Sequence, residues 1–397
     1  MEEFGLRPPG GPVDWERAVL RKDAVVEHLR SRSARQLEER GIHRVRRPVA
    51  FRDSRTVESD EGMVHARRII LATGAETVRP AIPGIEHALD NADLLGLRTA
   101  PRRLLVIGGG VIGLEFASIF GRVGSQVDVF EAGEEILPDI DPDVREALIA
   151  SHPDLRVRTR AEALRIDRKG ESVVLQVRVA GREESREGDA VLVATGRGPR
   201  VRGLGLERIG VRLGKKGIET DEYLETDALG IYAAGDAHGR FHLTPVAHYE
   251  GSLAAANALD GPRRKADYRV VPRTLFTLPQ ASSVGLTESE ARREGREVAS
   301  SLVRFDEIGA GLASDRTEGF VKVIVDRISR ELVGAHILGE ESEELIHLPA
   351  LAMKAGLNAD DILGTLGIHP ARSEAFFSAV SKADVSQKAR SRIRRAS

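Results

Sequence analysis

Between residues 104 and 130 the spacing of apolar and polar positions changes three times. Leu104 to Ile107 is a short unbroken apolar run, with the length and β-branched content of a strand buried on both faces. Gly108, Gly110 and Gly113 follow in G-x-G-x-x-G spacing, and Val111 to Arg122 then reads as a helix. Val127 to Phe130 is a second short strand, closed by Glu131. The pattern predicts one strand–helix–strand unit with a glycine corner at its first turn.

The same reading extends along the chain. Residues 1 to about 12 are glycine- and proline-rich and predict a loose segment. Asp14 or a neighbour can cap a long helix from about Trp15 to Arg40, with Val19, Val26, Leu29 and Leu37 at roughly helical spacing. Val45 to Phe51 and Met63 to Leu71 read as strands, the second running into Ala72-Thr73-Gly74. After Glu131, Asp141-Pro142 is a helix start, with a capping residue ahead of proline at the first helical position. Ser172 to Val179 alternates as an antiparallel arm, and Ala190 to Ala194 returns as a buried strand ending in Thr195-Gly196-Arg197. Two strands that run into A-T-G-like turns predict two related nucleotide-binding domains, one split around the other. Thr226 to Asp236 places a short strand before Gly235-Asp236, and a helix runs from about Pro245 to Ala258.

From about Tyr268 the pattern becomes one of grouped strands with flanking helices, an α+β domain. The strands are Thr274–Phe276, Ser282–Leu286, Val298–Val303, Phe320–Val325 and Leu332–Leu338. Helices are read at Thr287–Arg293, opened by a Thr287/Glu290 capping box, and at Ser342–Ala355. The tail beyond Val380 is arginine-rich and reads as disordered.

The glycine corner carries the first candidate chemistry. In such a unit the first glycine makes the tight turn, the second admits a pyrophosphate to the backbone, and the third seats the helix on the strand. The pyrophosphate charge sits where the helix N-terminus exposes unpaired N–H groups. A glycine-rich turn of some other α/β protein is the plain alternative. Strand, helix and closing acid together favour a dinucleotide site. A membrane span is excluded, because Glu115 interrupts the apolar stretch and the run is short. Glu131 also discriminates between dinucleotides. Facing a 2′-phosphate at about 4 Å, a carboxylate is repelled by roughly 4 kcal/mol per charge pair at an effective dielectric near 20. Facing a 2′-hydroxyl it gains about 1.5–3 kcal/mol from a charged hydrogen bond. Both effects favour NAD(H).

Composition narrows the classes further. The 397 residues leave room for two or three domains. A net charge of −2 gives no global signal for nucleic acid or membrane. There is no charged-then-apolar leader, so a cytoplasmic protein is expected. Cysteine is absent, which removes disulfides, thiolate metal sites and thiol chemistry by these residues, and no metal site is read. Two further features stay open on the residues alone. Asp236, directly after a strand and a glycine, is placed to bind a ligand hydroxyl, although such an Asp more often forms a turn. His369 and Glu374 in HPARSE form a plausible acid/base pair, although histidines before prolines are common in loops.

In this order the pieces resemble the flavoprotein disulfide reductases, the family of dihydrolipoamide dehydrogenase, glutathione reductase and mercuric reductase. The matching segments are ATG at 72–74, VIGGGVIGLE at 106–115, VLVATGRGP at 191–199, IYAAGDA at 231–237, HLTPVAHYEG at 242–251, TLPQASSVGLTESEA at 277–291 and HPARSE at 369–374. Glu131 makes the chain most similar to the NAD-using dihydrolipoamide dehydrogenase branch. The resemblance implies an α/β fold in which a Rossmann-like NAD-binding domain is inserted in an FAD-binding domain, followed by a C-terminal α+β dimerisation domain. The implied boundaries are 1–96 and 221–266 for the FAD-domain segments, 97–220 for the NAD-binding domain, 267–380 for dimerisation, and 381–397 for a basic tail.

Residue roles follow from the same resemblance. Gly108, Gly110, Gly113 and Glu131 would hold NAD, with Gly196 near its nicotinamide half. Glu115 would lie beside the flavin where hydride passes. Thr73, Gly74, Asp236, Leu243 and Thr244 would line FAD. His369, oriented by Glu374, would be the acid/base, contributed across a homodimer. Family members also begin with an FAD-binding strand carrying its own glycine fingerprint, then a helix with two cysteines. This sequence starts after both, so the FAD domain is expected to be truncated. Lost strand neighbours cost roughly 1–3 kcal/mol for each backbone group left buried and unpaired. The expectation is an incomplete NAD-dependent FAD oxidoreductase, unable to reduce disulfides alone. The alternatives are one half of a split flavoenzyme completed by a separate chain, and a non-enzymatic NAD-binding, dimer-forming remnant.

Overall fold

The computed structural model describes residues 13–383; the segment 1–12 and the arginine-rich stretch 384–397, both read above as loose, lie outside the described residues. The architecture is the expected mixture of α and β. It divides into two compact units, Met1–Gly108 with Ala163–Val177 and Glu184–Ala266, and Gly109–Glu162 with Arg178–Glu183 and Asp267–Ser397.

In the first unit, strand Arg103–Ile107 pairs in parallel with Ala190–Val193, Leu104 opposite Ala190. Its apolar run is buried on both faces, as a parallel strand requires. Ile69–Leu71 pairs in parallel with Ile231–Ala233, so the strand ending in Ala72-Thr73-Gly74 lies beside the one ending in Gly235-Asp236. Phe51, Leu71, Leu206, Ile218, Ile231 and Ala233 form the core behind these strands. Helix Trp15–Glu39 ends one residue short of the reading. Asp14 accepts the Arg17 N–H at its start, yet only Val19 of the anticipated apolar face is buried. Its indole N–H donates to the Leu97 carbonyl at 2.8 Å.

Two strands of this unit differ from the pattern. The run Met63–Leu71 is two strands, Gly62–His65 and Ile69–Leu71. The break falls at Ala66, whose N–H goes to the Arg55 carbonyl, followed by two arginines. The Val45–Phe51 strand begins only at Ala50 and runs to Asp53, after Pro48 has denied the ladder a donor.

In the second unit, helix Val111–Arg122 has the predicted bounds, and Gln126–Phe130 pairs in parallel with Leu155–Arg158. An antiparallel sheet of five strands runs in the order Arg273–Leu275, Ala281–Gly285, Leu332–Leu338, Phe320–Asp326, Val298–Arg304. Its two long central strands are buried at every position. Leu114, Ile136, Val144 and Leu148 pack with Leu275, Ala281, Phe320 and Leu338 into one core. The helix read over Ser342–Ala355 is two, Ser342–Leu345 and His347–Ala355. Pro349 explains the restart: it has no N–H and its ring would strike the carbonyl four residues back in a continuous helix. Among the described residues no helix is long and apolar enough to cross a membrane.

Candidate functional site

The glycine corner is built by close approach. Ala194 donates its N–H to the Ile107 carbonyl at 2.8 Å, which brings the neighbouring strand against Gly108. Gly108 adopts a φ of 109°, and a Cβ there would lie 2.3 Å from the Ala194 carbonyl oxygen, so only glycine fits. The next residue, Gly109, donates its N–H to Glu131 Oε2 at 2.7 Å, while Gly133 donates to Oε1 at 2.7 Å. The Glu131 carboxylate therefore latches the corner to the end of the second strand. With about four acceptor sites on two oxygens it keeps capacity for a ribose hydroxyl.

Gly110 is the N-cap of the helix in extended conformation, with no side chain capping it, so the first-turn amides are left for an anion. A Cβ at Gly110 would meet open space, whereas Gly113 is buried within the helix. An open helix N-terminus and an adjacent carboxylate are the donor and acceptor set that a diphosphate and a ribose need, so these residues fit NAD.

One turn into the helix, Glu115 accepts the Phe276 N–H at 2.9 Å. Burial pushes its carboxyl above the ordinary range, with the Phe276 bond opposing. It is the kind of half-buried acid that holds a proton or a polar ligand edge in place.

In the first unit the other residues gather at strand ends. Thr73 Oγ1 is buried with no hydrogen-bond partner, and Gly74 has a φ of 74°. Asp236 stands in the one-turn helix Gly235–Ala237 directly after strand Ile231–Ala233. Leu243 and Thr244 open helix Thr244–Asp260, whose N-terminus also has no side-chain cap. An orphaned hydroxyl, an aspartate at a strand end and an open helix N-terminus fit the polar groups of FAD. Gly196 is exposed, with a φ of 118°, and its carbonyl accepts the Val78 N–H.

His369 and Glu374 form one pair. His369 Nδ1 lies 2.8 Å from Glu374 Oε1, and the Ala371 N–H donates to Oε2 at 2.9 Å. The imidazole is 77% exposed. The His369 bond, then the Ala371 amide, hold the Glu374 carboxyl below its ordinary value. The pair is positioned to orient a histidine whose outer nitrogen is free for proton exchange.

The pattern of the sequence did not reveal three further polar groups. Glu250, 1% exposed, accepts the Gly235 N–H at 2.7 Å and faces His238 Nδ1 at 3.0 Å, fixing the turn that carries Asp236. His238 borders a cavity of about 880 Å³ with Arg212, Lys215, Lys216 and Arg240. In the second unit Lys322 donates to both oxygens of Asp141 at 3.0 Å and to Asp143 at 2.6 Å. Burial alone would push the Lys322 ammonium down, but the two carboxylates outweigh it and hold it up. Ser118 Oγ lies 2.9 Å from His152 Nε2 behind Glu115. Glu250 sits in a quoted motif, so its place was visible but not its bond. Separations of 181 and 34 residues hid the others.

Comparisons with known proteins identify the family. Residues 9–251 match the family model of pyridine nucleotide-disulphide oxidoreductases, and residues 271–380 match that family's dimerisation domain. The chain is 35% identical over 364 residues to a mercuric reductase of Staphylococcus aureus, covering 90% of this chain and 66% of the relative. It is 32% identical to a glutathione reductase of a Nostoc strain and to a dihydrolipoyl dehydrogenase of Bacillus subtilis, covering 84% of each and 94% and 96% of this chain. It spans 60% to 68% of the length of three mercuric reductases. The solved HOCl-induced flavoprotein disulfide reductase RclA from Escherichia coli superposes with a TM-score of 0.85 at 30% identity, covering 93% of this chain and 86% of that one. By sequence and by fold, the chain belongs to the pyridine nucleotide-disulphide oxidoreductases, a family of flavoprotein enzymes.

Proposed function

We propose that the chain acts as an NAD(H)-dependent FAD oxidoreductase of the dihydrolipoamide dehydrogenase type. The observation that carries this reading is the Glu131 carboxylate, latched to Gly109 beside an uncapped helix N-terminus. A carboxylate there repels a 2′-phosphate and accepts from a 2′-hydroxyl, so NADH is preferred to NADPH. The segments 97–220 for NAD, 1–96 with 221–266 for FAD, and 267–380 for a homodimer interface are part of the same proposal.

NAD(H) and FAD held by these residues would supply hydride and electron-transfer chemistry. The residues of this chain do the rest. Backbone N–H groups at Gly110 and the first turn hold the diphosphate, and Gly113 lets the helix seat closely. Gly196 leaves room beside the nicotinamide half. Glu115 presents a polar edge at the hydride position with its proton affinity raised by burial. Thr73 Oγ1, Gly74, Asp236, Leu243 and Thr244 take up the flavin's polar chain. His369 moves a proton at Nε2 while Glu374 fixes Nδ1. These 397 residues hold no cysteine, so a dithiol relay needs thiols from outside them.

The test is a titration of NADH and NADPH with the purified chain and with Glu131→Ala. The wild type is expected to bind NADH at least 10-fold more tightly, and the variant to narrow that ratio toward one. Equal affinity of the wild type for both cofactors would sink the reading. A visible absorbance spectrum of the purified protein tests flavin in the same preparation.

A further inference from the structure

The segment Phe276–Leu278 joins two strands of the five-stranded sheet; of its three side chains Thr277 alone is buried, its hydroxyl donating to the Pro279 carbonyl at 2.7 Å. Phe276 is 59% and Leu278 53% exposed. Its backbone is also tied by hydrogen bonds to one stripe of helix Val111–Arg122. Glu115 accepts the Phe276 N–H at 2.9 Å, Ser118 Oγ accepts the Leu278 N–H at 3.1 Å, and Arg122 Nη2 donates to the Leu278 carbonyl at 2.8 Å. Residues three and seven positions beyond Glu115 lie on the same helix face, so the three side chains form a row along the segment.

Behind this row stands His152, in the turn after helix Pro142–Ala150. Its Nδ1 is 3.0 Å from the Leu148 carbonyl, which can only accept, and 3.1 Å from the Ser151 hydroxyl, whose own proton goes to that carbonyl at 2.8 Å; with Ser151 so engaged, Nδ1 is assigned the proton. Nε2 is then an acceptor, and the Ser118 hydroxyl 2.9 Å away must donate to it. That donation turns a Ser118 lone pair toward the Leu278 N–H. The order is complete: Leu278 N–H to Ser118, Ser118 O–H to His152, His152 N–H to Leu148. Ser118 itself is 2% exposed.

We propose that Ser118, Arg122 and His152 are positioning residues for hydride transfer. They fix the Phe276–Leu278 segment, and through the Phe276 amide they fix the Glu115 carboxylate against the nicotinamide end of the dinucleotide. The proposal rests on the role given to Glu115 above. None of the three touches the reacting atoms. Their effect is on the geometry of the nicotinamide end and not on the diphosphate grip two residues and more before Glu115.

The experiment measures amide hydrogen exchange across residues 274–280 in the full chain, together with the affinities for NADH and for ADP-ribose, which lacks the nicotinamide. Ser118→Ala and His152→Ala are expected to speed exchange of the Leu278 amide at least 10-fold. They should weaken NADH about 5-fold and leave ADP-ribose unchanged. His152→Gln places an amide oxygen where Nε2 stood and restores both readouts. His152→Asn reaches only the Leu148 carbonyl and restores neither. The ring borders a cavity of about 250 Å³, so these amides fit without displacing backbone. Unchanged Leu278 exchange in Ser118→Ala overturns the proposal, as does equal loss of NADH and ADP-ribose, or rescue by Asn as good as by Gln. A wild type that binds neither nucleotide overturns the functional reading instead, and the exchange pattern then still decides whether the relay holds the segment.

Discussion

Two charged clusters in the second unit use similar chemistry at opposite degrees of burial. Lys322 and Asp141 are 8% and 0% exposed and bond through both carboxylate oxygens. His369 and Glu374 also share a short bond, but the imidazole is 77% exposed. The first pair joins the cap of helix Pro142–Ala150 to a central strand of the sheet, 181 residues away in sequence. The second joins neighbours five residues apart and leaves its outer nitrogen to solvent or substrate. Burial makes the first a structural bond whose loss leaves an uncompensated charge. Exposure makes the second cheap to lose for the fold and available for chemistry.

The largest expected effect comes from breaking the sealed cluster. Lys322→Met leaves Asp141 buried without its cation, and urea unfolding followed by circular dichroism should show a loss of about 3–5 kcal/mol. Glu115 sharpens the comparison, because it is half-buried and has no cation. Burial raises its pKa, so stability from this group is full below the ordinary value of 4.5 and is lost as pH rises through the raised one. Glu115→Gln, whose amide oxygen still accepts from Phe276, should raise the melting temperature at pH 7 and give no gain below pH 4.5.

At the open pair, His369→Gln should change unfolding free energy by less than about 0.5 kcal/mol. A loss as large as that of Lys322→Met would erase the distinction. The smallest effect is on Glu374 itself. Its lowered pKa means that any stability from the pair is present above the ordinary value and fades as pH falls through the lowered one. Carbon-detected NMR titration should find the Glu374 carboxyl moving upward in His369→Gln.

Local features of the chain were legible where short-range rules decide them. Helix Val111–Arg122 has the bounds read from the sequence, because a glycine corner starts it and the apolar spacing continues to its end. The Thr287/Glu290 capping box is formed as written, with both reciprocal bonds. Alternation could not register the break at Ala66, whose N–H goes to the carbonyl of Arg55 in the turn between two other strands. The acid after the second strand was found, but not its bond to Gly109, because nothing in a spacing tells which amide a carboxylate meets. Ser118, His152 and Lys322 were invisible for the same reason. Each is an ordinary residue on its own element and gains a role only from a partner far away in sequence.

Trp15 is the sole tryptophan of the sequence, and it sits at the start of a 25-residue helix that buries a single side chain. Indole emission consequently reports the seating of that helix on the Leu97 carbonyl rather than the collapse of either core. With so little apolar surface to anchor it, the helix should lift away early on heating, and a fluorescence melt should run ahead of the far-ultraviolet one. Anyone following this molecule by its intrinsic emission would be timing a peripheral undocking.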